Sequence, residues 1–362
     1  MVRDLKEKLR EARENEPLAP YTTFKIGGPA KYFFVAKSAD DMVATVSAAL
    51  DCGVPFFVLA GGSNILVSDQ GFDGLVILSA IKGLHTELKG GKAMVTAGAG
   101  ENWDELVARA TEQNWAGIEC LSGIPGTVGA APVQNIGAYG QSVGDVVHSV
   151  EAVDSRDGAR ITFDNAGCEF GYRASIFKKM KGRYIIVAVT IALAPNAPPL
   201  LAYHDLQECF KGKSPMLSEV RRAVIEIRAR KGYVIMPEYE CYKTAGSFFM
   251  NPIISDTEFQ ALRPKIKECP SPWYWELDDG RIKVSAACLL QSAGFSKGYR
   301  KGNVGISPKH SLSIVNFGGA SAVDVVGLAE DIKKSVQEKF GINLKEEVQL
   351  VGFKKLDKSK IV

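Results

Sequence analysis

One stretch of the sequence, from Ser122 to Gly140, combines residue types that suit a loop around a phosphate. It reads SGIPGTVGAAPVQNIGAYG, with five glycines, two prolines and no charged side chain in nineteen residues. Glycine lets main-chain N–H groups turn inward and approach anionic oxygens closely, so a phosphate or pyrophosphate is the natural ligand. Composition alone favours an ordinary surface loop. The small apolar residues and the absence of charge favour a loop that wraps a ligand.

Three separate polar residues stand in contexts that constrain them. Arg173 lies between aromatic residues in GYRASIF, and Ser247 lies between a glycine and two phenylalanines in TAGSFFMNP. Glu347 lies in LKEEVQLVGF on the strand face opposite Val348. Taken singly, a surface ion pair, a turn serine and a solvated carboxylate are the more common explanations. Since the chain has no G-x-S-x-G motif and no obvious histidine partner for it, Ser247 is a poor candidate nucleophile.

A second glycine loop follows the apolar run 56–60 and consists of Gly61, Gly62, Ser63 and Asn64. Residues 30–36 and 56–60 are typical of strands, and the helix between them begins with a capping box at Ser38 and Asp41. Such a unit is right-handed and parallel, and loops at the carboxyl end of its strands commonly hold phosphates. Because strands rather than a helix follow this loop, the sequence lacks the dinucleotide fingerprint, which disfavours a Rossmann domain.

The rest of the chain mixes strands and helices without an internal repeat. Strands are predicted at 65–67, 75–78, 93–97, 146–153, 160–163, 184–193, 311–316 and 344–353. Helices are predicted at the N-terminus, from Trp103, after a cap at Ser218, near 256–262 and 285–293, and from Ser321 to a stop at Gly341. The length suits two or three domains.

Composition disfavours several classes of function. The chain has 362 residues, of which 44 are basic and 41 acidic, and the net charge of +3 gives no general case for a nucleic-acid partner. No apolar run approaches the roughly 20 residues that span a bilayer, and the charged N-terminus does not resemble a signal peptide, so we expect a cytoplasmic protein without a membrane partner. Seven scattered cysteines, never as C-x-x-C, and four distant histidines argue against a disulfide framework and a metal site.

A series of motifs resembles one flavoenzyme family. In chain order the motifs are YTTFKIGGPA, GGSNIL, SGIPGTVGAAPVQNIGAYG, YRASIFK, LAYHDL, AGSFFMNP, FSKG and a terminal LKEEVQLVG. This set resembles the UDP-N-acetylenolpyruvoylglucosamine reductases, the MurB family of peptidoglycan precursor synthesis, over nearly the whole chain from Pro20 to Phe353. Because Tyr203 in LAYHDL matches the loop tyrosine that one subclass closes over its substrate, the resemblance is to the type I group.

The resemblance implies an α+β fold. A two-subdomain FAD-binding module of the vanillyl-alcohol-oxidase (PP-loop) type would be followed by a third α+β domain for the substrate. The implied limits are 1–80 for the first FAD subdomain, 81–231 with 341–362 for the second, and 232–340 for the substrate domain. The residues implied to hold FAD are Gly61, Gly62, Ser63, Asn64, Ile124, Pro125, Gly126, Gly129, Gln134, Ile136, Gly137, Tyr139 and, near the flavin, Arg228.

The resemblance also implies the reaction. NADPH reduces the flavin and leaves, the enolpyruvyl substrate takes its place, and hydride passes from flavin N5 to C3 of the enolpyruvyl group, giving UDP-N-acetylmuramate. Ser247 matches the proton donor to C2, while Arg173 and Glu347 match the residues that stabilise the enolate-like carboxylate and orient the serine. A fixed guanidinium suits such a concentration of negative charge, and a serine hydroxyl can donate to a strongly basic carbon when its neighbours assist. We expect a monomer.

Five further positions match contacts to the substrate, and these are Tyr203, Lys231, Asn251, Lys297 and His310. Lysine suits a diphosphate, although each lysine alone is equally typical of a solvated surface. The chain departs from the family in three places. Segment 232–244 is longer than expected, Glu346 replaces a proline before Glu347, and His310 stands where some members have glutamine. The aromatic trio 273–275, Trp-Tyr-Trp, could supply either a uracil stack or core packing.

Two other functions stay open at this stage. One is another FAD-dependent oxidoreductase of the same fold, whose reduced form would react with oxygen but ignore the enolpyruvyl sugar. The other is a non-catalytic flavin-binding module, which would tolerate Ser247→Ala. The joint presence of Arg173, Ser247 and Glu347 favours the reductase. NADPH and NADH are not distinguished, because no cationic contact to a 2′-phosphate can be placed in the sequence.

Overall fold

The computed structural model describes residues 5–234, 243–267, 269 and 272–353, and the chain folds into two compact units. Within the described residues, the first unit draws on Met1–Glu16, Ala30–Gly61 and Asp73–Arg230. The second unit draws on Pro17–Pro29, Gly62–Phe72 and Lys231–Val362. Both units contain helices and strands, in agreement with the α+β fold. The division into three domains stays a prediction.

A four-stranded sheet belongs to the first unit. Its strand order is Arg13–Pro17, Pro29–Ala36, Phe72–Ser79 and Phe56–Leu59, and the last two strands run parallel. Helix Ala39–Asp51 begins with the predicted capping box, in which the Ser38 hydroxyl accepts a 3.0 Å hydrogen bond from the N–H of Asp41. The predicted strand–helix–strand unit is therefore present, but Phe72–Ser79 inserts between its two strands.

A six-stranded antiparallel sheet forms the larger part of the first unit. Its order is Arg160–Asp164, Val147–Asp154, Tyr184–Pro195, Lys92–Gly98 and Leu84–Lys89, and Trp115–Ala116 pairs with the end of Tyr184–Pro195. In the central strand Val187, Val189, Ile191 and Leu193 are buried and the residues between them are partly exposed, as the two-residue period of a strand requires. The helices of this unit are Leu5–Lys8, Ala39–Asp51, Trp103–Glu112, Ile176–Lys179, His204–Cys209 and Leu217–Arg230.

The second unit carries smaller sheets. One has the order Ile253–Ile254, Ile282–Val284 and Tyr274–Glu276, and another has Arg300–Lys301, Val304–Ile306 and Ile314–Asn316. The strand Gln349–Val351 runs parallel to Ile65–Val67, so the end of the described chain returns beside the second glycine loop. The helices are Asp256–Leu262, Ala286–Ala293 and Ala322–Phe340.

Helix Ala322–Phe340 organises the core of the second unit. It begins at Ser321 and ends at Gly341, whose left-handed φ of 76° suits glycine, as the sequence predicts. Its apolar face, repeated at helical spacing, consists of Val325, Leu328, Ile332, Val336 and Phe340. The carboxylate of Asp69 accepts hydrogen bonds from the N–H groups of residues 322 and 323 at 2.7 and 3.1 Å, so a distant segment also caps this helix.

Some local predictions are wrong. The N-terminal helix spans only Leu5–Lys8, and the strand Arg13–Pro17 replaces its second half, because pairing at the sheet edge overrides helix propensity. Ser218 lies inside Leu217–Arg230 rather than capping it. The last strand is shortened to Gln349–Val351.

The described part of the chain also bears on cysteine pairing and on membrane-spanning helices. Cys269 and Cys288 form a disulfide with a Cα–Cα distance of 5.7 Å, although the scattered cysteines argued against such pairing. The spacing of 19 residues along the chain gave no signal for this contact. None of the helices between residues 5 and 353 that the structure describes has the length and apolar character needed to cross a bilayer.

Candidate active site

The glycine stretch packs against the segment that precedes helix Trp103–Glu112. The N–H of Val128 donates a 2.9 Å hydrogen bond to the carbonyl of Glu101, and the N–H of Gly129 donates one of 2.9 Å to the carbonyl of Ala99. A Cβ on Gly129 would lie 2.5 Å from the Cβ of Ala99. Only glycine therefore allows the two segments to approach this closely.

The two glycine loops touch at Gly61 and Gly126, both in the first unit. A Cβ on Gly61 would lie 2.7 Å from the Cα of Gly126, so the contact joins bare backbone to bare backbone. Next to it, the Oγ1 of Thr127 is buried and has no hydrogen-bond partner among the described residues. A buried hydroxyl without a partner is able to donate to a bound group. Gly62, Ser63 and Asn64 belong to the second unit.

Apolar residues anchor the glycine stretch. Ile136 is buried in the core of the first unit, and Ile124 packs against the same core. Pro125 and Gln134, the other two predicted FAD contacts in this part of the stretch, are half-buried. Apolar side chains thus fix the loop, and of the nineteen residues only Gly140 is exposed.

Arg173 lies beside the end of the glycine stretch. Its Nη2 donates to the carbonyl of Gly137 at 3.4 Å, and Nδ2 of Asn135 donates to the carbonyl of Gly171 at 3.1 Å. Arg173, Asn135 and Tyr139 have φ angles of 53°, 45° and 49°. Such left-handed backbone costs a non-glycine residue about 1–3 kcal/mol and is concentrated at functional sites. The structure therefore brings Arg173 together with the predicted FAD residue Gly137.

Tyr139 and Tyr203 contact each other edge to face, with 5.2 Å between their ring centroids. Tyr139 is buried, and burial raises its pKa to about 12, so its hydroxyl stays protonated. Tyr203 immediately precedes helix His204–Cys209 and keeps 44% of its surface exposed. An exposed ring beside a binding loop is able to cover a ligand, and the substrate contact of Tyr203 stays a prediction.

Arg228 is buried at the beginning of the glycine stretch. Its Nε donates to the carbonyl of Gly123 at 3.2 Å, while the N–H of Gly123 donates to the Asp104 carboxylate at 2.5 Å. Arg221 donates two further hydrogen bonds to Asp104, at 2.6 and 2.8 Å. Neither Asp104 nor Arg221 was predicted from the sequence, because 117 residues separate them and neither lies in a recognised motif.

Ser247 and Glu347 lie on neighbouring backbone segments of the second unit. The N–H of Glu347 donates a 2.8 Å hydrogen bond to the carbonyl of Phe248, and Ser247 forms an antiparallel bridge with Ser313. Phe248 is only 1% exposed, whereas Ser247 and Glu347 are half-buried. The buried phenylalanine fixes the backbone, and both polar side chains keep partial access to solvent.

Asn64 connects the second glycine loop to the same segment. Its Nδ2 donates to the carbonyl of Glu347 at 3.2 Å, and the N–H of Gln349 donates to the carbonyl of Asn64 at 3.0 Å. The adjacent carboxylate, Glu346, instead forms an ion pair with Lys333 at 2.8 Å. Glu346 is therefore joined to helix Ala322–Phe340, which carries Lys333, and the catalytic role of Glu347 stays a prediction.

His310 shares its surroundings with two predicted substrate lysines. Its Nε2 is hydrogen-bonded to the hydroxyl of Tyr233, and its Nδ1 is buried without a partner among the described residues. Burial, followed by the positive charges of Lys297 and Lys231, lowers the pKa of His310 to about 3, so the imidazole is neutral near pH 7. Tyr233 was not predicted; it lies in the long segment 232–244, of which residues 235–242 lie outside the described part.

Asn251 has a structural role in the second unit. Its Oδ1 accepts a 2.9 Å hydrogen bond from the N–H of Ala286, at the beginning of helix Ala286–Ala293. That oxygen satisfies one of the otherwise unpaired N–H groups of the helix, and the contact of Asn251 with substrate stays a prediction.

The aromatic trio divides into core and surface. Trp273 and Tyr274 pack against Phe259, with centroid distances of 5.6 and 4.6 Å. Trp275 is 39% exposed, and the Nζ of Lys283 lies 5.2 Å from its ring centroid. Of the three, Trp275 is thus the residue with a surface for a base to stack on. Across the described part of the chain, no group of three or more His, Cys, Asp or Glu side chains is arranged to hold a metal ion.

Comparisons with known proteins identify the family. Residues 30–164 match the FAD binding domain, and residues 237–351 match the UDP-N-acetylenolpyruvoylglucosamine reductase, C-terminal domain. The UDP-N-acetylenolpyruvoylglucosamine reductase of Streptomyces coelicolor is 40% identical over 346 residues, which cover 93% of this chain and 89% of that protein. The chain belongs to the UDP-N-acetylenolpyruvoylglucosamine reductase family. The reductase of Cutibacterium acnes is also 40% identical, over 94% of this chain and 90% of its own.

A solved structure of the reductase family agrees with the fold. The crystal structure of MurB from Thermus caldophilus is similar with a TM-score of 0.63 and 28% sequence identity, and the match covers 94% of this chain and 99% of that one. Family membership together with the FAD binding domain makes this chain an FAD-containing oxidoreductase. The residues present fit FAD: the contact of Gly61 with Gly126 offers bare backbone, Thr127 Oγ1 lacks a partner, and Arg228 supplies a cation nearby.

Proposed function

We propose that this chain reduces UDP-N-acetylglucosamine enolpyruvate to UDP-N-acetylmuramate with NADPH as hydride donor. The reaction would serve peptidoglycan precursor synthesis and, with it, cell-wall biogenesis, cell shape and cell division. The observation that carries the proposal is the 2.8 Å hydrogen bond between Glu347 and Phe248, which fixes Ser247 and Glu347 on adjacent segments. The names of the Streptomyces and Cutibacterium relatives support the substrate. We further propose that the protein acts as a cytoplasmic monomer.

FAD, when bound, would supply hydride transfer from the nicotinamide to C3 of the enolpyruvyl group. Gly61 and Gly126 are proposed to hold its pyrophosphate with main-chain N–H groups, which suit anionic oxygens. The hydroxyl of Thr127, which has no partner among the described residues, would donate a hydrogen bond to the pyrophosphate. Arg228 would add positive charge beside the same stretch.

Ser247 is proposed to deliver the proton to C2. The carbon–carbon double bond then gains a hydride at C3 and a proton at C2, so the enolpyruvyl ether becomes a lactyl ether. A serine hydroxyl is a weak acid and needs both a strongly basic acceptor and an orienting neighbour. The half-buried position of Ser247 beside the buried Phe248 restricts its backbone, and Glu347 on the adjacent segment is the proposed orienting group.

Arg173 is proposed to bind the carboxylate of the substrate. Charge builds up there as hydride adds to C3, and a preorganised guanidinium stabilises such charge more effectively than a mobile one. The left-handed backbone at Arg173 and the hydrogen bond from its Nη2 to Gly137 are the features that support a fixed orientation.

Lys231, Lys297 and His310 are proposed to bind the diphosphate and the sugar. Burial and the ammonium groups of the two lysines lower the pKa of His310, so its imidazole stays neutral. The positive charge of this group of three therefore comes from the lysines. A neutral imidazole beside two cations can hydrogen-bond a sugar or phosphate oxygen without adding charge of its own.

An anaerobic absorbance experiment tests the proposal in two steps. Purified protein loaded with FAD is mixed first with NADPH and then with UDP-N-acetylglucosamine enolpyruvate. Bleaching of the flavin by NADPH and recovery of its absorbance with the enolpyruvyl sugar are expected. The same titration with NADH measures the nicotinamide preference, and a preference for NADH would contradict the NADPH assignment.

The other outcomes separate the two rival functions. Flavin that bleaches with NADPH and is reoxidised by oxygen but not by the enolpyruvyl sugar would indicate another FAD-dependent oxidoreductase of the same fold. Flavin that binds but is bleached by neither nicotinamide would indicate a non-catalytic flavin-binding module. Size-exclusion chromatography with light scattering tests the monomer, since a dimer would elute with twice the mass of 39.1 kDa.

A further inference from the structure

Four residues of the first unit form a network at the beginning of the glycine stretch. Both sides of Gly123 are held, because its N–H donates to Oδ1 of Asp104 at 2.5 Å and its carbonyl accepts from Nε of Arg228 at 3.2 Å. Arg221 donates two hydrogen bonds to Asp104, from Nη1 to Oδ1 at 2.6 Å and from Nη2 to Oδ2 at 2.8 Å. We call this set, Arg221, Asp104, Gly123 and Arg228, the Asp104 network.

Two helices supply the charged members of the Asp104 network. Asp104 lies in the first turn of Trp103–Glu112, where the helix dipole favours a carboxylate. Arg221 and Arg228 both lie on Leu217–Arg230, about two turns apart and hence on one face. A bidentate arginine–carboxylate pair restricts direction as well as distance, so Arg221 fixes the orientation of the Asp104 carboxylate.

Gly123 can be replaced by no other residue without strain. Its φ is 69°, in the left-handed region, and a Cβ would lie 3.3 Å from Nε of Arg228. The peptide groups on either side of Gly123 are therefore fixed by the network, and the chain continues directly into the predicted FAD contacts Ile124, Pro125 and Gly126.

The carboxylate of Asp104 is ionised in this setting. Burial acts to raise its pKa, but the hydrogen bonds from Arg221 and from the N–H of Gly123, with the charges of Arg221 and Arg228, hold the pKa below its usual range. One negative charge thus lies between two arginines beside the loop.

We propose that Asp104 and Arg221 are positioning residues for FAD. They fix the Gly123 peptide, and through it they hold both Arg228 and the loop Ile124–Gly126 in the geometry that binds the FAD pyrophosphate. The inference rests on the proposed assignment of the glycine stretch to FAD. Neither residue needs to touch the cofactor.

The sign of the charge change separates positioning from simple electrostatics. Asp104→Asn removes a negative charge near a site for an anionic ligand, so long-range electrostatics alone predicts tighter binding of FAD. Positioning predicts the reverse, because the asparagine cannot hold Arg221 with two charge-assisted hydrogen bonds. Weaker binding in this variant therefore has to come from the lost geometry.

The experiment measures FAD binding to the apoprotein by quenching of flavin fluorescence, together with the rate of FAD release. We expect Asp104→Asn to raise the Kd for FAD by about tenfold or more, mainly through faster release. The matched control is Glu105→Gln, which makes the same charge change on the next, exposed residue of the same helix and should leave the Kd within about twofold. A second pair compares Arg221→Gln with Arg222→Gln, where Arg222 is exposed on the same helix.

Three results would overturn the inference. The first is an unchanged or lower Kd in Asp104→Asn, and the second is an equal effect of Arg221→Gln and Arg222→Gln, which would reduce the role of Arg221 to charge. If Asp104→Asn does not fold, Gly123→Ala, which disturbs the same peptide without a charge change, serves in its place, and an unchanged Kd there is the third. Failure of the wild-type apoprotein to bind FAD would instead refute the FAD assignment itself.

Discussion

Lys333 pairs with Glu346 at 2.8 Å between Nζ and Oε1, and Glu347, the predicted site carboxylate, is the next residue along the chain. This ion pair joins Glu346 to helix Ala322–Phe340, which carries Lys333. Glu347 follows it directly and is instead joined through its N–H to Phe248, next to Ser247. Glu346 therefore serves as a matched control for the proposed role of the Glu347 carboxylate in catalysis.

Glu347→Gln should slow the reoxidation of reduced flavin by the enolpyruvyl sugar by about 10²-fold or more, because Ser247 loses the proposed orienting group for its proton transfer. Reduction by NADPH should change little, because no proton is delivered to the substrate in that half-reaction. Glu346→Gln should spare both half-reactions and lower the free energy of unfolding by about 1 kcal/mol or less, as for a partly exposed ion pair. Stopped-flow absorbance at the flavin band measures both rates, and equal effects of the two variants on reoxidation would refute the assignment.

Ser247→Ala should slow one half-reaction, the reoxidation of flavin, and leave the other, its reduction by NADPH, almost unchanged. Without a proton donor to C2, reoxidation by the enolpyruvyl sugar should fall by about 10²-fold or more, while bleaching by NADPH proceeds at close to the wild-type rate. The bridge to Ser313 uses only backbone atoms, so the fold should survive the substitution. Equal loss of both half-reactions would show that Ser247 serves binding or folding and not proton transfer.

Gly61→Ala should weaken FAD binding strongly. Its Cβ would lie 2.7 Å from the Cα of Gly126, so one of the two glycine loops has to move. The control is Gly327→Ala, since a Cβ at Gly327 meets nothing within 4 Å and the residue lies in helix Ala322–Phe340. That control should raise the free energy of unfolding by about 0.5–1 kcal/mol and leave the Kd for FAD unchanged. Flavin fluorescence and thermal unfolding measure both, and wild-type FAD affinity in Gly61→Ala would contradict the proposed contact of the loops.

His310 should make the fold sensitive to acid. Its pKa is about 3 in the folded protein against an ordinary value of 6.5. Between these values the unfolded chain binds a proton that the folded chain excludes, so the free energy of unfolding falls as the pH falls. His310→Gln cannot titrate and should remove about 2 kcal/mol of destabilisation between pH 6.5 and pH 5.

Urea unfolding at the two pH values tests this expectation. The exposed His85 supplies the control, because His85→Gln should retain the wild-type dependence on pH. If His310→Gln and the wild type lose the same free energy of unfolding between pH 6.5 and pH 5, the imidazole is not held neutral by its surroundings.

Local rules in the sequence predicted the elements whose signals are local. The capping box at Ser38 and Asp41 and the span from Ser321 to Gly341 depend on residues within a few positions of each helix end, and the structure confirms both. The prediction of a long N-terminal helix was wrong, because pairing with a strand distant in sequence decides the structure of its second half. Residues 13–16 continue the charged run that predicted a helix but form part of a strand at the sheet edge instead.

Only those residues of the site that lie in recognised motifs were predictable from the sequence. Motifs led to Arg173, Ser247 and Glu347, and the structure joins Ser247 to Glu347 through Phe248. The supporting contacts were not predictable, since 117 residues of sequence separate Asp104 from Arg221 and 77 separate Tyr233 from His310. Single aspartates, arginines and tyrosines outside motifs carry no signal in one sequence, because only the folded chain decides which of them meet.

The most direct test of the central claim follows hydrogen isotopes into the product. Enzyme reduced with unlabelled NADPH is reoxidised by UDP-N-acetylglucosamine enolpyruvate in D₂O, and the lactyl ether is examined by proton NMR. Protonation at C2 by the solvent-exchangeable hydroxyl of Ser247 predicts deuterium at C2. Since the N5 hydrogen of reduced flavin also exchanges with solvent, C3 should carry deuterium to the extent of that exchange. Deuterium at C3 with hydrogen at C2, or no reduced sugar at all, would contradict the proposed reaction.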